Sequence, residues 1–372
     1  MRAPRYRLIA SVLAIAASAV AVRAQQRPPQ SIFTSGSTIP VLESYLESLR
    51  LQAGIPGMSA IVLRNGGDRS GEDGEIVWEK GFGYENVTTR VRATPDTPYL
   101  VGDATGTLSA VLLLQCVEQK RLALDDPLER YGLSAPEPTA TLRQLLEHGT
   151  PSAFLYSPER FVHVTELMEY CAPQPFRKSI AHRILNRLAM MDSVPGTDWK
   201  NADQAQPDDL FDASDRARYR AVLDRLAVPY KVQGRSKTER TELPATGINA
   251  AGGLVSTVHD LAKFDRALDA ADEGGLLHVE TLVAAWTPPV EAAGTPRPMG
   301  LGWFVQYYKG ERVVWHFGNV PNAYSSLILK LPARNLTFIL LANSDGLSSP
   351  FDLAQGDVTK SLFASLFLKL AT

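Results

Sequence analysis

The chain has 372 residues, 45% of them hydrophobic, with a formal net charge of −2 and only two cysteines. Length and apolar content allow one large or two intimately packed domains with ample core, so stability need not rest on cystines. The nearly balanced charge, without a Lys/Arg block, gives no basis for nucleic acid or an anionic membrane surface as a partner.

Arg2, Arg5 and Arg7 precede an apolar stretch over 8–22, and Val22-Arg23-Ala24 ends on a small residue. This is the layout of a secretory signal peptide, 1–24, too short for a comfortable membrane span. Its removal takes four arginines with it and moves the net charge from −2 to −6. The address it implies is exported, periplasmic or extracellular, with no stable membrane span afterwards. Such an address permits a disulfide between Cys116 and Cys171, which lie on apolar helical segments; two buried free thiols fit the sequence equally well.

Residues 25–38 are a polar Pro/Gly/Ser linker. A helix is expected over 40–53, with Val41, Leu42, Tyr45, Leu46 and Leu49 on one face. Pro56-Gly57 then turns into a buried strand at 58–64, and 75–81 reads as its antiparallel partner across the long hairpin loop GGDRSGEDG. Gly81-Phe82-Gly83 ends a strand instead of opening a helix, which makes turn glycines a better reading than a nucleotide loop. The stretch 107–119 is apolar on almost every face and has to sit inside the protein. Gly102 and Asp103 mark its start, where the Asp103 carboxylate is expected to cap the first free N–H groups.

A turn at 124–128 and helices over 141–148, 164–170, 177–188 and 214–226 make 100–243 mostly helical. Strand-rich segments bracket this region. The pattern is that of an α/β (α+β) chain in which a helical domain, 100–243, is inserted into a sheet domain, 39–99 and 244–372. Thr257 and Asp260 form a capping pair for a helix over 258–268. Strands follow at 302–308, 312–316, 324–330 and 336–342, and a long apolar helix over 351–370 is expected to lie on the sheet.

The six histidines, His148, His163, His182, His259, His278 and His316, are scattered, and neither H-E-x-x-H nor a Cys pair at ligand spacing occurs. No metal or cofactor is therefore expected, and every histidine except His316 reads as a surface or structural residue. Neither a G-x-S-x-G elbow nor a P-loop is present. What does match is an ordered series: IPGMSAIVLRNG, KGFGYENV, TPDTPYLVGD, LALDDPLERY, LLEHG, RILNRLAMMDS, AAGGLVSTVHDLAKF, MGLGWFV, WHFG and ILLANSDG. In order and spacing this series resembles the β-lactamase-related serine hydrolases, the group of class C β-lactamases, D-Ala-D-Ala peptidases and some esterases.

That resemblance implies a β-lactamase/transpeptidase-like fold: an antiparallel sheet flanked by terminal helices, with a helical domain on one side and the active site in the crevice between. It also implies acyl transfer through the Ser of S-x-x-K at the mouth of the central helix. The Lys one turn on accepts the proton, a Tyr of Y-x-N assists, and K-T-G or H-x-G on an edge strand completes the site. Positions three apart share a helix face, so the Lys amine reaches the Ser hydroxyl. Carried over, the match is mixed. G-S-x-x-K aligns with Gly102-Asp103-Ala104-Thr105-Gly106, which puts Asp at the nucleophile and Gly at the Lys. Tyr156-Ser157-Pro158 keeps the Tyr and replaces the Asn, while His316-Phe317-Gly318 retains H-x-G. No Lys has a Ser three residues before it, and the nearest variant, Thr197 with Lys200, falls in a polar loop.

The family positions are thus Asp103, Gly106, Tyr156 and His316, and none is a confident catalytic residue. Asp103, Thr105, Tyr156, His316 and Gly318 are the candidates for holding a small polar or peptide-like ligand, and the Thr105 and Thr107 hydroxyls would need His316 as a base to act as nucleophiles. The reading is an exported protein of this fold whose acylation machinery is lost, with a binding or interaction role. The alternative is an active hydrolase of an ester, amide or peptide-like substrate with altered chemistry.

Overall fold

The computed structural model describes residues 38–65, 74–133, 137–150, 153–200, 210–234, 237–270, 275–291 and 294–372. The expected signal peptide, the linker as far as Ser37 and most of the hairpin loop lie outside these residues. In chain order the strands are β1 (Gly57–Arg64), β2 (Glu75–Asn86), β3 (Val91–Arg92), β4 (Tyr99–Leu100), β5 (Val194–Pro195), β6 (Tyr230–Gln233), β7 (Lys237–Arg240), β8 (Leu254–Ser256), β9 (Phe304–Tyr308), β10 (Glu311–Val320), β11 (Tyr324–Leu331) and β12 (Leu336–Ala342). Seven of them form one antiparallel sheet in the order β3-β2-β1-β12-β11-β10-β9. A three-stranded sheet, β4-β8-β5, and the hairpin β6-β7 hold the other strands of the described residues.

The helices are α1 (Thr38–Gln52), α2 (Thr105–Glu118), α3 (Leu142–Leu146), α4 (Pro158–Phe161), α5 (Val164–Cys171), α6 (Phe176–Ile180), α7 (Ala213–Asp224), α8 (Val258–Asp269), α9 (Val279–Ala285) and α10 (Leu362–Ala371). Among the described residues none is long and apolar enough to cross a membrane.

The apolar runs of β1 and β12 are explained by burial on both faces of the sheet. On β1, Met58, Ala60 and Val62 join the core under α1 and α10, whereas Ile61 and Leu63 join the core built around α2. β12 divides in the same way, with Phe338 and Leu340 on the first side and Ile339 and Leu341 on the second. Phe338 stacks on Phe367 of α10 at 4.6 Å. α2 lies at the centre of the second core, where every residue from Thr105 to Cys116 is buried. Cys116 and Cys171 form a disulfide that ties α2 to α5, deciding between the two readings the sequence left open.

Three local expectations are corrected. The long helix over 351–370 is a series of 3-10 turns followed by α10 alone. Asp352 and Gly356 both have positive φ, 48° and 84°, and a Cβ on Gly356 would stand 2.2 Å from the Pro298 side chain, so the chain turns there against its neighbour. The helix over 177–188 is α6 running into a π turn, Ala181–Asn186. At α8 the Thr257 hydroxyl accepts the Asp260 N–H at 3.1 Å as expected, but the Asp260 carboxylate accepts from Asp192 N–H, the Ser193 hydroxyl and Lys263 instead of returning to the cap.

A buried ionic cluster fastens α8 to the sheet. Lys330 of β11 reaches Asp265 at 2.9 Å and Asp269 at 2.6 Å, and the Asn65 amide, just past β1, donates to both carboxylates.

Candidate functional site

The chain enters α2 through one 3-10 turn, Gly102–Ala104, that is pinned on two sides. Val101 N–H donates to Leu254 of β8, and the Val101 carbonyl accepts the Ser326 hydroxyl of β11 at 2.7 Å. Two glycines permit this closeness. A Cβ on Gly318 would lie 1.9 Å from the Val101 oxygen, and Gly102, at φ 60°, would bring one within 2.8 Å of Asn319 N. Gly318, a candidate ligand residue from the sequence, is therefore a packing glycine and does not line the crevice.

The register refines a second expectation. β9 covers β10 up to the pair Trp315↔Phe304, so β10 is not an edge strand throughout, and only His316 onward stands uncovered on that side.

Asp103 does not cap the helix. Neither the 3-10 turn nor α2 has a side-chain cap, because the backbone is already helical at Ala104 (φ −60°, ψ −16°), whereas a capping residue needs extended geometry. Its carboxyl instead faces the Asn319 N–H of β10. Burial pushes its pKa up to about 7, against the pull of the Asn319 N–H, and the charge of Glu159 adds to the rise. The native state thus binds a proton that the unfolded chain has released between the ordinary carboxylate value and pH 7, so this group's contribution to stability falls as pH rises through that window. Asp103→Asn is expected to be more stable than the unaltered protein at pH 8 and to lose that advantage by pH 4, as read from urea midpoints at the two pH values.

At Gly106 the Phe161 ring stands beside the place of a lysine stem. A Cβ there would touch the Phe161 ring at 3.5 Å. The local sequence explains how the ring arrives. Ser157 caps α4 by accepting the Arg160 N–H, and Pro158 is favourable in the first turn, so Phe161 projects one turn on. The Pro that replaces the Asn of the tyrosine motif thereby helps deliver the ring that lies beside Gly106.

Tyr156, His148 and His316 complete the walls. The Tyr156 ring lies 4.6 Å from His148, 5.2 Å from Phe317 and 6.2 Å from His316, and His148 stacks on Phe161 at 5.3 Å. His316 is 2% exposed, and burial lowers its pKa to about 4; that of His148 falls to about 3, for the same reason first and then through His316 and Arg160. Both rings are neutral at physiological pH. Burial and the charges of Asp103 and Glu159 push the Tyr156 hydroxyl well above its ordinary value, so it stays protonated.

Neither Thr105 nor Thr107, weighed as nucleophiles and Thr105 also as a ligand residue, lines the crevice. Their hydroxyls donate at 2.8 Å to the carbonyls of Gly102 and Ala104, and both side chains are buried in the helix mouth. The crevice that remains is small, with room for about one water-sized group. This is below the usual size of a ligand pocket. Among the described residues lining it there is no serine, threonine, cysteine, lysine or arginine. Nor do the described residues contain a group of three or more His, Cys, Asp or Glu able to hold a metal.

The beta-lactamase family model matches residues 41–359, most of the chain. The chain belongs to the beta-lactamase family. Among curated relatives it is 26% identical over 300 residues to the putative penicillin-binding protein PbpX of Bacillus subtilis, covering 72% of this chain and 67% of that protein. It is 25% identical over 321 residues to protein flp of Staphylococcus aureus strain MW2, covering 79% and 61%. Its fold is similar to the octameric penicillin-binding protein homologue from Pyrococcus abyssi, with a TM-score of 0.69 at 22% identity over 89% of this chain and 77% of that one. The class C beta lactamase from Rhodobacter sphaeroides gives 0.64 at 16% identity, over 89% and 99%.

Within this family fold the structure brings Asp103, Gly106, Tyr156 and His316 together around one crevice. Three participants were missed from the sequence: Phe161, His148 and the Asn319 N–H. Ser157-Pro158 is a helix-start signal that could have placed Phe161 one turn downstream. His148 lies in LLEHG, and only its burial separates it from the other scattered histidines.

Proposed function

We propose that this beta-lactamase family protein is exported and does not form an acyl-enzyme, and that its crevice serves binding of a small polar ligand or interaction. One observation supports the reading: the two positions of the Ser-Lys pair hold Asp103, whose carboxyl faces the Asn319 N–H, and Gly106, which has no side chain and lies beside the Phe161 ring. A carboxylate attacking an acyl group would give a mixed anhydride instead of the family's serine ester, and the crevice offers no serine, threonine, cysteine or lysine in substitution. A fluorescent penicillin and a fluorophosphonate probe are expected to leave the protein unlabelled in intact-mass spectra. A stoichiometric adduct would overturn the reading.

A second reading, an active hydrolase with altered chemistry, is favoured by the Asp103 carboxyl itself. A group with a pKa of about 7 beside neutral His316 and Tyr156 is matched to proton transfer near neutral pH. It requires chromogenic-ester turnover that disappears in both Asp103→Asn and Tyr156→Phe; turnover indifferent to these changes belongs to a contaminant.

A further inference from the structure

The charge of the crevice is reversed relative to a Ser-x-x-Lys site: Asp103 adds an acid where the serine would stand, and Gly106 removes a base. Nothing lining the crevice restores positive charge. His148 and His316 are neutral, and Arg160, whose charge reaches His148, is held in a two-bond fork by Glu137 at 2.7 and 2.8 Å. Glu159 adds a second acid to the surroundings.

The hydrogen-bond roles follow from the partners. The Phe317 carbonyl can only accept, so the Nδ1 of His316, 2.7 Å away, carries the ring proton and Nε2 is left as a lone pair. His148 has the opposite tautomer, since its Nδ1 accepts the Ser157 N–H at 3.0 Å. The crevice therefore offers three acceptors, the Asp103 carboxylate, His316 Nε2 and the Tyr156 oxygen, against two donors, the Tyr156 O–H and the His148 Nε2–H, beside the ring faces of Tyr156 and Phe161. An alkylammonium group has three N–H donors and no acceptor, and aromatic faces attract its charge.

We propose that this crevice is a site for the ammonium group of a small primary amine, and that it rejects carboxylate-bearing ligands. The proposal rests on the non-acylating reading, because it makes Asp103 a binding group and not a reacting one. The crevice has room for little more than one water-sized group, so only the ammonium nitrogen and the carbon next to it enter.

The test is a thermal-shift titration of the full protein at pH 8 with methylammonium chloride, methanol and sodium acetate at matched ionic strength. Methylammonium should raise the melting temperature in a saturable way. Methanol and acetate should not. Asp103→Asn should weaken methylammonium at least about tenfold, and Tyr156→Phe, which removes one acceptor, should weaken it several-fold. Equal shifts from methanol or acetate, or unchanged methylammonium affinity in both variants, would overturn the proposal. Probe labelling reports separately. An adduct defeats the non-acylating reading whatever the amine does, whereas unlabelled protein that ignores methylammonium defeats only this proposal.

Discussion

Asp103→Ser combined with Gly106→Lys is expected to leave ester hydrolysis at the background of the unaltered protein, whereas adding Phe161→Ala should raise it by about 10²-fold or more. The difference lies in space. A Cβ at position 106 would already be in van der Waals contact with the Phe161 ring at 3.5 Å, so a lysine stem that continues toward the ring has to displace it. Overpacking of this kind costs about 1–3 kcal/mol and would drive the amine away from the new serine hydroxyl. Removing the ring clears the path, and Asp103→Ser also frees the Asn319 N–H, which the carboxyl now faces, to meet developing negative charge. The Phe161→Ala change costs about 3–5 kcal/mol of packing by itself, partly offset by the lysine stem, so turnover is to be scaled to the folded fraction. A chromogenic ester assay with a His316→Ala control checks the result. Equal activity of the double and triple variants would show that Phe161 is not the obstruction; two inactive variants would turn attention to Pro158, where the family motif has Asn.

The second large effect is expected far from the crevice. Lys330→Met should cost about 3–5 kcal/mol, because it leaves the carboxylates of Asp265 and Asp269 without their cation. The Lys330 side chain is only 6% exposed and Asp265 5%, so water reaches the stranded Asp265 carboxylate poorly, whereas Asp269, at 26%, is better hydrated. Replacing the pair together, Lys330→Met with Asp265→Leu, should cost less than the single change, since one charge is no longer stranded. Urea denaturation at pH 7 measures both, and a loss below about 1 kcal/mol for the single variant would rule out a structural role for the cluster.

Much of the scaffold was legible because its signals are local. The apolar run of α2, the doubly buried runs of β1 and β12, and the Thr257 cap of α8 are each specified by neighbouring residues, and they occur where expected. The terminal helix was overread for an equally physical reason. Its apolar content is real, but the positive φ at Asp352 and Gly356 is imposed by packing against Pro298, a neighbour distant in the chain.

The site divides along the same line. Sequence alone determined that Asp103 and Gly106 stand where the Ser and Lys of the S-x-x-K motif would, in a series of segments otherwise in order. It also placed these two residues at the mouth of a buried helix, because hydrophobic periodicity is a local property. Only the tertiary structure decided what became of that mouth. The carboxyl of Asp103 turns to Asn319 instead of capping its own helix, Phe161 lies beside Gly106, His148 joins the walls, and Cys116 pairs with Cys171. Each of these joins residues far apart in the chain, and their protonation and hydrogen-bond roles depend on burial that exists only once the segments have packed.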